Sequence, residues 1–210
     1  MSIRRSVVVA LVLGSGFGAA TSVMNEVASP MGAVGSRIAG TVWASVAEIV
    51  TLLLDAGWAW AALAVIAGAL TRDRVAGAAA GALALIGATT TYYLSDSVLR
   101  EEPLALYGPE LLRWSIAGAI LGLALGAVGA SIKDAGVIGL LAGLTVPVGA
   151  AVQMIVLPPH AGAAAVNPAA TWAQGIVFAA AAVAVAVVTA RFVADSRRRR
   201  RAGAGAGVLS

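Results

Sequence analysis

The chain is patterned in blocks. Long apolar runs rich in Ala, Gly, Val and Leu alternate with short clusters of charge. This is neither the two-residue alternation of a half-buried strand nor the narrow stripe of an amphipathic surface helix. Reading from one charged cluster to the next gives six runs, at about 6–24, 50–70, 75–94, 114–132, 135–157 and 172–190. Each is close to the ~20 residues an α-helix needs to cross the hydrocarbon core of a bilayer. The pattern predicts an all-α, polytopic membrane bundle of six transmembrane helices within residues 1–196. A basic, disordered cytoplasmic tail is expected at 197–210.

Composition agrees with that reading. The chain is 60% hydrophobic and 11% charged, where soluble domains carry about 25% charged residues. With no cysteine and a single histidine, disulfides, thiolate metal sites, cysteine nucleophiles and multi-imidazole metal sites are all excluded.

Charge then orients the bundle. Arg4, Arg5, Arg72, Arg74, Lys133, Arg191 and Arg197–Arg201 make eleven of the fourteen basic residues, and all fall on one side when the six runs are threaded through a membrane. Only Arg37, Arg100 and Arg113 fall opposite. By the positive-inside rule both termini are cytoplasmic, in a multi-pass protein of the plasma membrane. The opening "MSIRRSVVVALVLGSGFGAAT" also has the form of a signal peptide with a small-residue site after Ala20. The apolar run continues to Val23, so a retained signal-anchor is expected. The arginine run beyond residue 196 reads as an inner anchor to anionic lipid.

The inner turns "TRDR" and "IKD" are short and predict tight hairpins. The outer connections, 25–49, 95–113 and 158–171, are long. Two three-helix halves would have opposite orientations, as in inverted-repeat transporters, but only the helix count supports that parallel. Glycines recur four apart in four runs: Gly14 and Gly18, Gly77 and Gly81, the series Gly118, Gly122 and Gly126, and Gly139 and Gly143. Small residues at that spacing let helix backbones approach in lipid, and packing within one subunit is the expected use. Pro147 is expected to kink the fifth run.

Polar and aromatic residues gather on the outer side. Trp43, Trp58, Trp60, Tyr92, Tyr93, Tyr107, Trp114 and Trp172 all map there, as do Glu26, Glu48, Asp55, Asp96, Glu101, Glu102 and Glu110. An ordinary interfacial belt would account for the rings. An aromatic-lined outer cavity is the sharper alternative. Thr89, Tyr92, Asp96 and Arg100 form a stripe at helical spacing, with Asp96 and Arg100 able to pair at i,i+4. Pro109 and Glu110 suit the start of a helix, where a carboxylate meets the positive end of the dipole.

Glu48 and Asp55 lie seven residues apart. On one continuous helix they would be nearly in line and about 10 Å apart, too far to share a proton or chelate one ion. Glu48 is expected to be solvated and Asp55 to lie just below the outer boundary. A charge at that depth tends to face a partner or a water-filled space.

Catalytic signatures are missing. There is no phosphate-cradling "GxxxxGK[ST]" and no "GxSG" serine of an intramembrane protease. "DAGWAW" does not match the acidic motif of phospholipid-headgroup transferases, and His160 reads as an ordinary loop residue. A non-enzymatic chain without cofactor, metal or nucleic-acid partner is expected.

The segment "MNEVASPMGAVGSRIAGTVWAS" followed by "LLLDAGWAWAALAVIAG" resembles an uncharacterised family of small Ala/Gly/Arg-rich six-helix membrane proteins from actinobacteria. The architecture is also similar to the substrate-binding subunits of energy-coupling-factor transporters. Their small-residue coupling face would correspond to Ala10, Gly14 and Gly18. Beyond the lipid bilayer, that similarity implies other membrane subunits and a small solute or cation as partners.

The leading expectation is a binding or transport subunit with an outward-facing polar-aromatic pocket. Asp55, Trp58, Tyr92, Asp96 and Trp114 would line it, with Arg100 or Arg113 as counter-ions. The alternative is a non-catalytic structural or assembly protein with no ligand.

Overall fold

A computed structural model of the chain describes residues 3–71, 73–159 and 167–206. The expectations for Arg72, His160 and residues 207–210 lie outside that range. All regular structure among the described residues is helical. The order is α1 (Ile3–Ala28), a one-turn α2 (Gly35–Ile38), α3 (Val42–Leu54), α4 (Gly57–Ala69), α5 (Arg74–Leu99), α6 (Gly108–Ala130), α7 (Val137–Val156) and α8 (Pro168–Ala206). Short 3-10 turns, Leu104–Tyr107 and Ser131–Lys133, flank α6.

Five helices are long and apolar enough to cross a membrane, and α3 with α4 make a sixth if the bent pair is one span. That bend corrects the sequence reading. The run at 50–70 is not one helix: α3 and α4 meet at 58° across Asp55 and Ala56. Ala56 is extended, with φ −65° and ψ 135°. Asp55 sits at the C-terminus of α3, where the dipole disfavours a carboxylate, and Gly57 is a poor helix former. The break is held from outside as well. The Gln153 side-chain carbonyl of α7 accepts the Trp58 N–H at 2.8 Å, filling one of the vacant acceptor places at the start of α4.

Two further differences concern lengths. The connection expected at 95–113 shrinks to little more than a turn, because α5 runs on to Leu99 and α6 starts at Gly108. Where a tail was expected from residue 197, α8 continues to Ala206. Arginine and alanine are both strong helix formers, and no proline interrupts them.

The core is small-residue packing between α1, α4 and α5: Ala10, Leu63, Ala64, Ala67, Ala80, Ala84, Leu85 and Ala88. Glycines set the separations. A Cβ on Gly14 or Gly18 would stand about 2 Å from the carbonyl oxygens of Ala84 and Ala88, so α1 and α5 touch backbone to backbone. A second cluster, Ala150, Met154 and Val177, joins α7 to α8 and packs on Leu53, Ala56 and Trp58 around the break.

The bundle has two unlike ends. At one, Asp73 caps α5 by accepting the Ala76 N–H at 2.7 Å, Arg74 pairs with Asp134 at 2.6 Å, and Lys133 donates to the Ala69 carbonyl at the end of α4. At the other lie Asp55, the ends of α1 and α5, and the start of α6.

Candidate functional site

The site follows from how α4, α5 and α6 diverge. Near the Asp134 end they are in direct contact: a Cβ on Gly68 would lie 2.0 Å from the Gly126 oxygen, and one on Gly129 would lie 2.1 Å from the Val65 oxygen. A Cβ on Gly126 would in turn lie 2.2 Å from the Gly77 oxygen of α5. Moving along α6 toward its start, the glycines give way to Ala117 and then Trp114. On α4 the facing residues become Ala61 and Trp60. Rings in place of hydrogens hold the helices apart, and a cavity of about 430 Å³ opens between them. That volume is within the range of small-ligand sites.

Leu85, Thr89, Tyr92 and Tyr93 of α5 form the back of the cavity. Trp60, Ala61 and the residues from Trp114 to Leu125 form its sides, and Asp55 and Gly57 lie at the helix break. The rings interlock. Phe17 meets Trp60 edge-on at 5.3 Å, Trp60 meets Tyr92 at 6.4 Å, and Tyr92 meets Tyr93 at 5.2 Å. Tyr93 also stacks at a tilt on Tyr107, 5.6 Å away.

Asp55 is exposed at this end. One side-chain amide ties it to the cavity wall: Asn25 Nδ2, near the end of α1, donates to Asp55 Oδ2 and to Tyr92 Oη, each at 3.1 Å. A carboxylate only accepts, so the NH2 face of Asn25 must turn toward it. The Asn25 Oδ1 is then buried without a hydrogen-bond partner among the described residues. Of the three arginines assigned to this side, Arg37 on α2 makes no ion pair with Asp55 and the other two are engaged elsewhere. Arg100 Nε lies 3.4 Å from Asp96 Oδ2, and Arg113 pairs with Glu110 one turn away. Among the described residues, Asp55 has no cationic partner.

Five residues were expected to share the pocket, and three meet there: Asp55, Tyr92 and Trp114. Trp58 does not, because it packs toward the α7–α8 cluster. Asp96 does not line the cavity either. It is 5% exposed and faces α1, where Ser22 Oγ donates to its Oδ1 at 2.9 Å. Neither Arg100 nor Arg113 reaches the cavity lining. Glu48 departs from its expected solvation, because Asn167 at the start of α8 donates to it.

The residues missed were Trp60, Tyr93, Asn25 and Gln153. Trp60 and Trp58 are two apart, so on a helix they point about 200° from each other, and only the neighbours decide which one faces the cavity. The signal for Asn25 was its place as the first amide after an apolar run ending on the same side as Asp55.

A carboxylate beside aromatic ring faces can hold a cation, the carboxylate by charge and the rings by their negative faces. No three His, Cys, Asp or Glu side chains among the described residues converge as metal ligands. Fold and cavity together define an α-helical bundle of the multi-pass membrane type with a ligand-sized cleft. No protein-family model matches the chain, and no curated protein or solved structure matches it.

Proposed function

We propose that this chain is a membrane-embedded binding or transport subunit for a small solute, with a cation as the favoured form, received in the cleft beside Asp55. One observation carries the reading: a carboxylate without a cationic partner among the described residues stands at an aromatic-lined cavity of about 430 Å³, while Arg100 and Arg113 are each paired with another acid. A carboxylate near the membrane boundary tends to face a partner or a water-filled space, and an incoming cation would supply that partner. Binding places the cation against Asp55, Trp60 and Tyr92, and Asn25 holds the carboxylate and the tyrosine in register.

The Asp55 end faces outward in this reading and both termini face the cytoplasm. The support is the bias of basic residues to the opposite end together with the gathering of tryptophan, tyrosine and acid at this one. Gly14, Gly18, Gly77, Gly81, Gly122 and Gly126 serve packing within the subunit, which the close backbone approaches of α1 to α5 and of α5 to α6 support. Those contacts would equally suit a structural or assembly protein. An aromatic cavity with an unneutralised acid is what such a role leaves without use.

The test is a thermal-shift screen of detergent-purified protein against organic amines, vitamins and metal ions, repeated on Asp55→Asn. A ligand that binds only the folded protein raises its stability by mass action. Stabilisation by at least one cationic class, lost in Asp55→Asn with the unliganded melting temperature unchanged, is the expected result. No stabilisation by any class, or stabilisation indifferent to the substitution, would sink the proposal.

A further inference from the structure

The cavity has a shape that a compact, water-soluble cation does not need. Its lining on α6 extends from Trp114 to Leu125, about 16 Å along the axis at 1.5 Å per residue. It is a slot.

The slot is polar at one end only. Asp55, Thr89, Tyr92 and Tyr93 surround that end, and toward Leu125 the walls are Leu85, Gly118 and Leu121. Its α6 wall is also the outer surface of the bundle. Trp114 and Leu121 line it and are still 60% and 56% exposed. Both lie within the apolar length of α6 that is long enough to cross a membrane. In a bilayer, an opening at that height faces acyl chains instead of water.

We infer that the occupant is a single-chain amphiphile with a cationic head, which enters sideways from the surrounding lipid. The head lies at Asp55 among the rings, and the tail lies along Leu85, Leu121 and Leu125 toward the glycine contacts. The head-group half of this inference rests on the cation reading of Asp55; the tail half rests on the slot itself. Charge complementarity selects a cationic head over an anionic one, because the carboxylate at the polar end has no basic neighbour of its own among the described residues. The cavity volume of about 430 Å³ suits one such chain better than two.

The experiment titrates alkyltrimethylammonium ions, from tetramethyl- to dodecyltrimethylammonium, against the full chain in lipid nanodiscs. Quenching of tryptophan fluorescence is the readout. Affinity should tighten by up to about fourfold per methylene, then level off once the slot is full. Leu121→Phe and Leu125→Phe should each bring the plateau to a shorter chain. Partitioning into lipid is common to wild type and variants, so the difference between them isolates the slot. Affinity independent of chain length, or a rise that neither substitution alters, overturns the amphiphile. If tetramethylammonium still binds wild type but not Asp55→Asn, that same result leaves the cation reading standing. Chain-length dependence that survives Asp55→Asn overturns the cationic head and the cation reading with it.

Discussion

The same three helices are closed at one end and open at the other, and side-chain size accounts for the difference. Where α4, α5 and α6 carry Gly68, Gly77, Gly81, Gly122 and Gly126, no room remains for even a methyl group: a Cβ on Gly81 would lie 2.3 Å from the Gly122 oxygen. A few turns away Trp60, Tyr92, Tyr93 and Trp114 occupy the facing positions, and the helices part around a cavity. In lipid there is little hydrophobic drive for helices to associate, so packing contact carries more of the energy. The closed end therefore bears stability, which frees the open end to be shaped for something else. Gly118 marks the transition, since a Cβ there would sit 3.3 Å from the Leu85 Cβ, tight but not a backbone collision.

The comparison can be broken most sharply at the closed end. Gly126→Leu forces a side chain into the Gly77 carbonyl, and neither backbone can move without parting α5 from α6. Overpacking of this kind costs about 3 kcal/mol or more, and the folded fraction on detergent unfolding should fall accordingly. A variant as stable as wild type would show that the glycine contacts do not hold the bundle.

Gln153→Ala should have the next effect. It removes the acceptor for the Trp58 N–H at the start of α4, and losing such a cap costs about 1 kcal/mol. A lowered melting temperature is expected. Gln153→Glu, which keeps an acceptor at that place, should recover most of the loss.

Smaller still is the expected cost at the open end. Asp55→Asn keeps the size of the side chain and lets it go on meeting Asn25 through its carbonyl oxygen, so the unliganded stability should change by no more than about 0.5 kcal/mol. Leu121→Ala, on an exposed wall of the cavity, should likewise stay within about 0.5 kcal/mol. A large loss at either position would mean that the open end is structural, and the contrast between the ends would fail.

Much of this contrast was written in the chain, and the rest was not for identifiable reasons. Helix positions followed from hydropathy because most apolar runs are bounded by charge, as with Arg74 before α5 and Lys133 after α6, while the last two are divided by the proline-bearing stretch at 158–168. The break at Asp55 was hidden, because one acid within an apolar run is compatible with either a continuous helix or a bent one. Part of what holds it is Gln153, ninety-five positions from Trp58, and a contact that distant leaves no local trace. That Asp55, Tyr92 and Trp114 lie around one cavity was legible, since each is a polar or aromatic side chain at the same end of its helix. Asp96 shared every one of those features. It went instead to Ser22 on α1, because that face of α5 is covered by α1, and the rotation of one helix about its axis is not set by hydropathy.

The chain contains no cysteine, which opens a direct test of the central claim that the open end is an accessible, cation-selective cleft. Thr89→Cys introduces one thiol on the back wall of the cavity, and Ala82→Cys introduces one at the closed seam, where the Ala82 backbone meets Gly122. The rates to measure are those of modification by trimethylammonium-ethyl and by sulfonatoethyl methanethiosulfonate, on both variants with and without Asp55→Asn. The cationic reagent should modify Thr89→Cys at least about tenfold faster than the anionic one, a preference that Asp55→Asn collapses. Ala82→Cys should stay unreactive toward both. Equal rates for the two reagents at Thr89→Cys, or a preference untouched by Asp55→Asn, would contradict the account.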